Sequence, residues 1–393
     1  MNAGKAPAPN PRRRDEADKP AILLATHEFF PTRGGIGVYV YELANAAARQ
    51  GHDVRVLAPG HSRWRELDGL PVRLEAISPA PVLAHWWYLP ATAAWLLANR
   101  RRLRGQVLHL CQQGPLRVML VLGFLGLVRP QRLIITLHGS ELLQMSASRL
   151  GSRWLLARLL GTADRVAVLS KWVKDQLVHS YPEAAGKVVV APGAPRSAWP
   201  NPGEPTRSPG SVVTILTVGR IHPRKGQRTV LEALGRLDTG RRKAVRYVIA
   251  GPVVDPDFET RLRRLANSGG VDVIFTGDID DDVLSRHYAG ADIFAMTSEP
   301  QANSVEGFGL AFLEASAAGL PILGYRTGGV EEAVQDGRTG LLVEPGDMGG
   351  LVGALTRLID DAALRERLGE NGRQWAAKFS WESCATAVYG DLP

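Results

Sequence analysis

Along this chain, short runs of consecutive apolar residues alternate with longer stretches whose apolar residues recur at helical spacing. Ile22 to Thr26 is the first run. The loop PTRGGIG follows it, then a helical pattern from about Val38 to Arg49 that Gly51 ends, then a second run at Val54 to Ala58. Short apolar runs bounded by turn residues read as strands, and apolar repeats every three to four residues as helices. The same order returns in the second half: Val212 to Val218, the loop GRIHPRKG, a helix from about Gln227 to Leu237, then Tyr247 to Ala250. Parallel strands joined by helices bury both faces of a sheet, so the pattern predicts an α/β protein with two Rossmann-like, doubly wound sheets.

Between the two units, six prolines at positions 192, 195, 200, 202, 205 and 209 exclude a helix or central strand and mark a linker. Beyond it, Val273 to Thr276, Ile293 to Thr297, Pro321 to Gly324 and Gly340 to Val343 read as further short strands. Helical spacing resumes from about Ala363 to Tyr389, with a break near Phe379 and Ser380. The expected organisation is a flexible basic tail over 1–20, one domain over 21–205, a second over 206–375, and a closing helix over 376–393 that packs back on the first domain.

Composition narrows the class. With 393 residues, 45% hydrophobic and 22% charged, the chain is globular in character rather than disordered or fibrous. Its net charge of +8 is unevenly placed: residues 1–200 hold 26 basic and 13 acidic side chains, and the remainder holds 21 and 26. A basic half can face anionic lipid, an acidic acceptor or nucleic acid, or can be plain solvated surface. Two cysteines, Cys111 and Cys384, make neither a disulfide framework nor a four-cysteine metal site; they read as small buried hydrophobes of a cytoplasmic protein. The longest apolar run, Val118 to Val128, has 11 residues against the roughly 20 needed to span a bilayer.

The most informative segment is Val305 to Gly319, VEGFGLAFLEASAAG. Glu314 is the one charge in an otherwise apolar helix, so its carboxylate needs hydrogen-bond donors, and sugar hydroxyls qualify; a solvent-facing glutamate is the plain alternative. Gly307 and Gly309 allow close backbone approach, and the helix N-terminus after them suits a phosphate. Upstream, VGRIHPRKG leaves a strand and carries Arg220 and Lys225, cations fit for a diphosphate at the edge where open α/β sheets bind ligands. In the first half, Gly34, Gly35 and Gly37 fail as a dinucleotide fingerprint because Val40 occupies its third glycine position; they suit backbone approach to phosphate or sugar across a cleft. His138 ends the apolar run of IITLHGSE, and Ser170 ends that of VAVLS, where helix capping explains it.

Taken together, VGRIHPRKG, EGFGLAFLE, SAAGLPILGYRTGGVEE and DGRTGLLVEPGD resemble the retaining glycosyltransferases of family 4, and FFPTRGGIGVYVYELA, LHGSE and VLSKWV resemble that family's N-terminal markers. The resemblance runs from about Ile22 to Phe379. It implies a GT-B fold, two facing Rossmann-like domains with a nucleoside diphosphate sugar held mainly by the second. By position, it implies that Arg220 and Lys225 bind the diphosphate and stabilise the leaving group, that Glu306 lies near the donor sugar, and that His138 sits beside the sugar ring. Glu314 would hold the ribose hydroxyls, and the backbone at Phe308, Gly309 and Leu310 would contact phosphate or sugar. Gly34 and Gly35 would close over the diphosphate from the opposite domain, with Gly251 and Ile279 on the nucleotide side.

The resemblance further implies metal-independent chemistry without a cofactor, since the two cations and the helix N-terminus supply the electrostatics. Asp280 to Asp282 in TGDIDDD read as solvated acids or a helix N-terminus rather than a metal site. Two departures stand out: APGAP at Ala191 to Pro195 replaces the usual P-N-G-V-D, so an interdomain contact is expected to differ, and Ser298 to Val305 is a longer link than usual. The expected acceptor is a glycan, lipid-linked or phosphorylated molecule. Trp86 and Trp87 with Arg100, Arg101, Arg102 and Arg104 suit an anionic membrane surface and hence a peripheral station on its cytoplasmic face, with core packing of the tryptophans as the alternative. Nucleic acid is not an expected partner, for want of any recognisable module. A nucleotide-sugar epimerase and a non-catalytic sugar-nucleotide-binding subunit are the competing functions.

Overall fold

The computed structural model of the chain describes residues 19–31, 34–77, 87–146, 150–197, 212–299, 301 and 304–391. The linker prolines 200, 202, 205 and 209, the 1–18 portion of the tail, and Trp86 lie outside the described residues.

The first half contains β1 (Ala21–Ala25), α1 (Gly35–Arg49), β2 (Val54–Ala58), β3 (Arg73–Ala76), α2 (Tyr88–Ala98), α3 (Arg100–Leu103) and β4 (Gln106–Leu110). It continues with α4 (Gln113–Phe124), β5 (Arg132–Leu137), α5 (Ser140–Ser146), α6 (Leu150–Thr162), β6 (Arg165–Val168), α7 (Lys171–Ser180) and β7 (Val188–Val190). Its strands form a seven-stranded sheet in the order β3-β2-β1-β4-β5-β6-β7. Every described pairing is parallel, with Ile22 opposite Val54 on one side and Val107 on the other. Central strands enclosed on both faces must be apolar throughout, and Ile22, Leu23, Leu24 and Ala25 are fully buried.

The second half contains β8 (Val213–Val218), α8 (Gln227–Gly235), α9 (Thr239–Lys243), β9 (Val245–Ala250), α10 (Pro256–Gly269), β10 (Asp272–Gly277), α11 (Asp281–Gly290) and β11 (Ile293–Met296). It closes with α12 (Leu310–Ala317), β12 (Ile322–Tyr325), α13 (Val330–Ala333), β13 (Gly340–Val343), α14 (Met348–Asp360), α15 (Ala362–Ala376) and α16 (Trp381–Tyr389). Its six strands run β10-β9-β8-β11-β12-β13, again parallel. Both sheets therefore reverse direction of strand addition once, between β1 and β4 and between β8 and β11. Such switch points open a crevice beyond the strand carboxyl ends, where α/β sheets bind ligands.

The final helix lies on the first sheet. Arg49 of α1 pairs with Glu382 at 2.8 Å, and Arg165 donates to the carbonyls of Val388 (2.9 Å) and Ala387 (3.2 Å). Buried His109 of β4 bridges the Tyr389 hydroxyl and Thr136, each at 2.7 Å. Burial first, with a smaller contribution from His138, pushes the His109 pKa down to about 3, so this bridge is neutral. Cys111 and Cys384 are both buried free thiols, and among the described residues no helix is long and apolar enough to cross a membrane.

Candidate active site

The carboxyl edges of the two sheets face one cleft cavity of about 450 Å³, within the range of roughly 300–1,000 Å³ usual for small-molecule sites. Its second-half wall starts where β8 ends. Gly219 adopts a φ of 150°, a turn at Pro223–Lys225 follows, and Gly226 at φ 72° starts α8. A Cβ on Gly226 would strike the Thr297 carbonyl, so glycine lets the turn sit against β11 and aim its cations into the crevice.

Lys225 Nζ donates to Glu306 Oε2 at 2.6 Å, Arg224 Nη1 to the same oxygen at 3.0 Å, and Ser298 Oγ at 3.3 Å. Burial alone would raise the Glu306 carboxyl, but Lys225 and then Arg224 overcome this and hold it at about 2. Burial likewise pulls the Lys225 ammonium below its ordinary pKa, against the opposing pull of Glu306. Lys225, Arg224 and Glu306 thus form a buried ionic cluster with one cation in excess. Arg220 stands exposed on the same wall.

Beyond Glu306 the chain turns through Gly309 at φ 88° into α12, whose first N–H groups open on the cavity. Glu314, 4% exposed, is not solvent-facing. It accepts from Arg196 Nε through one oxygen and from the Tyr288 hydroxyl through the other, each at 2.9 Å. Arg196 also pairs with Asp281, and both carboxylates raise its pKa against the opposing effect of burial. The next residue, Ser197, donates from its backbone (3.0 Å) and hydroxyl (2.8 Å) to buried Glu42 of α1. Just after the unusual APGAP segment, consecutive residues therefore tie the chain to both halves.

The first-half wall is less charged. His138 follows β5; its Nε2 donates to the Cys111 carbonyl at 3.0 Å, leaving Nδ1 as the acceptor. The Tyr39 ring meets it edge-on at 5.2 Å. Gly34 precedes α1 with the Glu28 carboxylate lying beside its Cα, whereas Gly35 borders open space. Gln112, Gln113 and Gln144 extend this wall, with Gln113 donating to Gln144 at 3.0 Å.

The two walls meet at a seam. Gly307 lines the cavity and also packs so tightly on the His138 carbonyl that no Cβ fits. Ser170 caps α7 by accepting from Val173 N, and also donates to the Gly307 carbonyl at 2.6 Å. Glu332 accepts from the Lys171 and Trp172 N–H groups at 2.8 and 2.9 Å. Asp280 caps α11 by accepting from Val283 N, and among the described residues no group of three His, Cys, Asp or Glu is arranged to hold a metal.

The twelve residues to which the resemblance gave a catalytic or donor-binding role line this one cavity: Gly34, Gly35, His138, Arg220, Lys225, Gly251, Ile279, Glu306, Phe308, Gly309, Leu310 and Glu314; Gly37 does not. Arg224, Arg196, Ser298 and Glu332 were not singled out. Arg224 adjoins Lys225 in VGRIHPRKG and Glu332 closes a recognised motif, so adjacency could have flagged both; Arg196 lies 118 positions from its partner Glu314, a separation that sequence spacing does not reveal. A separate cavity of about 530 Å³ at the opposite edge of the first sheet, by Lys19, His52 and Tyr389, holds none of these residues.

Two opposed Rossmann-like sheets with a crevice between their carboxyl edges define a protein of GT-B architecture, and comparison with known proteins agrees. Residues 204–375 match the family described as glycosyl transferases group 1, and residues 33–194 match glycosyltransferase family 4. A GDP-mannose-dependent alpha-(1-6)-phosphatidylinositol monomannoside mannosyltransferase of Mycolicibacterium smegmatis is 30% identical, covering 92% of this chain and 95% of that protein. A D-inositol 3-phosphate glycosyltransferase of Acidothermus cellulolyticus is 31% identical over 91% of this chain and 85% of its own. The Anabaena HepE structure in complex with UDP and glucose superposes with a TM-score of 0.73 at 18% identity, covering 94% of this chain and 98% of that one. The chain belongs to glycosyltransferase family 4 and is a nucleotide-sugar-dependent glycosyltransferase with the GT-B fold.

Proposed function

We propose that this enzyme transfers a hexose from a nucleoside diphosphate sugar to a polyol or lipid-linked acceptor, with retained anomeric configuration and without a metal. The observation that carries the reading is the buried cluster of Lys225 and Arg224 on Glu306, beside Arg220 and the N-terminus of α12. A departing nucleoside diphosphate is polyanionic, and fixed cations with free N–H groups lower the cost of its departure without reorganising at the moment of reaction. Lys225, Arg220 and Arg224 are assigned to the diphosphate, and Glu314 with Arg196 to the ribose edge. His138, anchored by Cys111, is assigned to the transferred sugar.

Glu306 is ionised and held through Oε2; its Oε1, without a hydrogen bond among the described residues, is assigned to a sugar hydroxyl. A carboxylate so engaged positions the donor and balances charge rather than attacking C1. Retention then follows from same-face attack: the acceptor oxygen bonds to C1 as the bond from C1 to the phosphate oxygen breaks, and that phosphate oxygen takes the acceptor's proton. The matched relatives named above use GDP-mannose or act on inositol phosphate compounds, which makes GDP-mannose with an inositol phosphate the first pair to test. Proton NMR of the product in EDTA tests the reading: a product with the donor's anomeric configuration supports it, and inversion, or an epimerised nucleotide sugar without transfer, overturns it.

A further inference from the structure

From residue 76 to residue 163 the chain carries ten arginines, no lysine and a single carboxylate, Glu141. Glu141 is buried and engaged by the His138 backbone N–H. Two of the arginines are spent locally, Arg102 on Glu75 and Arg132 on Asp164. The tryptophan and arginine segment singled out from sequence is therefore partly committed, with Trp95 half-buried beneath Arg102.

Trp87 (50% exposed), Arg100, Arg101 and Arg104 of that segment remain at the surface, but the larger exposed apolar surface lies elsewhere. Val121 (52% exposed), Phe124 (46%), Leu125 (57%) and Leu127 (46%) come from α4 and the turn after it, and Trp154 (53%) from α6. Those five are half of the ten strongly exposed large apolar side chains among the described residues, gathered on one face. Phe124 and Trp154 meet edge-on at 5.4 Å, and the Arg158 guanidinium lies over both rings at 5.5 and 5.8 Å. Arg117, Arg129 and Arg153 are exposed around them, and neither 113–131 nor 150–162 contains a carboxylate.

We propose that this face of α4 and α6 docks on an anionic lipid bilayer, its aromatic and leucine side chains entering the headgroup boundary and its arginines pairing with lipid phosphates. Apolar side chains ringed by cations of one sign match such a surface on both counts. A second copy of the chain fits poorly, because a two-fold contact would set arginine against arginine with no carboxylate between. The face also communicates with the cleft: α4 starts at Gln113 on the cavity wall and ends at Phe124, a run of about 17 Å. A lipid-linked acceptor lying in the bilayer is thereby brought within reach of the cleft, a consequence that rests on the proposed reaction; the docking itself does not.

Flotation of the full chain with vesicles tests the docking without donor or turnover. Vesicles of phosphatidylglycerol in phosphatidylcholine should carry the protein up, phosphatidylcholine alone should not, and raised salt should weaken the binding. The double substitution Phe124→Ser/Trp154→Ser and, separately, Arg117→Glu/Arg153→Glu should each weaken it roughly tenfold, with thermal melting and nucleotide binding preserved because these side chains are exposed. Three results overturn the proposal: no flotation with the anionic vesicles, equal flotation with phosphatidylcholine alone, or flotation indifferent to both variants. Self-association abolished by the same substitutions, in sedimentation equilibrium, would assign the face to a second copy instead.

Discussion

The two sheets share a strand order, apart from the additional edge strand β7 of the first, and differ in what their loops carry at the carboxyl edge. Around β8 and β11 the crevice holds Arg220, Arg224, Lys225, Glu306 and Glu314, a dense set of charges. Around β1 and β4 it holds Gln112, Gln113, His138 and Glu28, groups suited to hydroxyls. Like scaffolds thus bear unequal chemistry, and loop residues rather than strand order decide which half presents cations to the crevice. The exposed Arg117, Arg153 and Arg158 of the first half sit on α4 and α6, outside its crevice, on the face proposed to dock on a bilayer.

That contrast can be broken most sharply on the charged side. Lys225→Ala should lower kcat by about 10²–10³-fold, the usual loss for one electrostatic donor to a developing charge, with Lys225→Arg retaining part of it. Steady-state kinetics with the donor saturating checks this, and a change of a few-fold would place the leaving-group charge elsewhere. Glu314→Ala should weaken nucleoside diphosphate binding by about 1.5–3 kcal/mol, the range for hydrogen bonds to a charged group, read by calorimetric titration. If Glu314 serves only Arg196 and Tyr288, the loss will appear in thermal stability alone.

On the first half the expected effects are structural. His109 has a folded pKa of about 3 against an ordinary 6.5. Between those values the unfolded chain binds a proton that the folded chain refuses, so stability is full above about 6.5. It should decline by about 1.4 kcal/mol per unit as pH falls toward 3. Urea midpoints across that window check the slope, which His109→Gln should flatten. Smallest of all, Ser170→Ala removes a cap of α7 and a tie to Gly307, and should cost about 1 kcal/mol in the same measurement.

The fold was largely legible because buried parallel strands are continuous apolar runs. The expected Val54 to Ala58 and Gly340 to Val343 coincide with β2 and β13, and Ile22 to Thr26 is displaced from β1 by one residue at each end. The break near Phe379 and Ser380 falls between α15 and α16, where Ser380 caps the last helix. Short-range site features were legible for the same local reason, since a glycine turn and its cations lie within a few residues of each other. What escaped depends on folding at long range. Arg196 reaches Glu314 and Asp281, Glu332 caps α7, and the exposed stripe of α4 reads in sequence as an ordinary apolar run. Spacing alone does not say which side of α4 is left uncovered.

In the proposed reaction a nucleoside diphosphate occupies the charged crevice without help from a metal. Thermal unfolding with GDP, UDP and ADP, each with EDTA, alongside Glu314→Ala and Lys225→Ala, tests it most directly. A ligand present at about 100 times its Kd adds roughly 2.7 kcal/mol of stability. One of the three should raise the midpoint in EDTA, and both substitutions should diminish the gain. No stabilisation by any of them, or a gain that appears only with a divalent cation or survives both substitutions, would contradict the account.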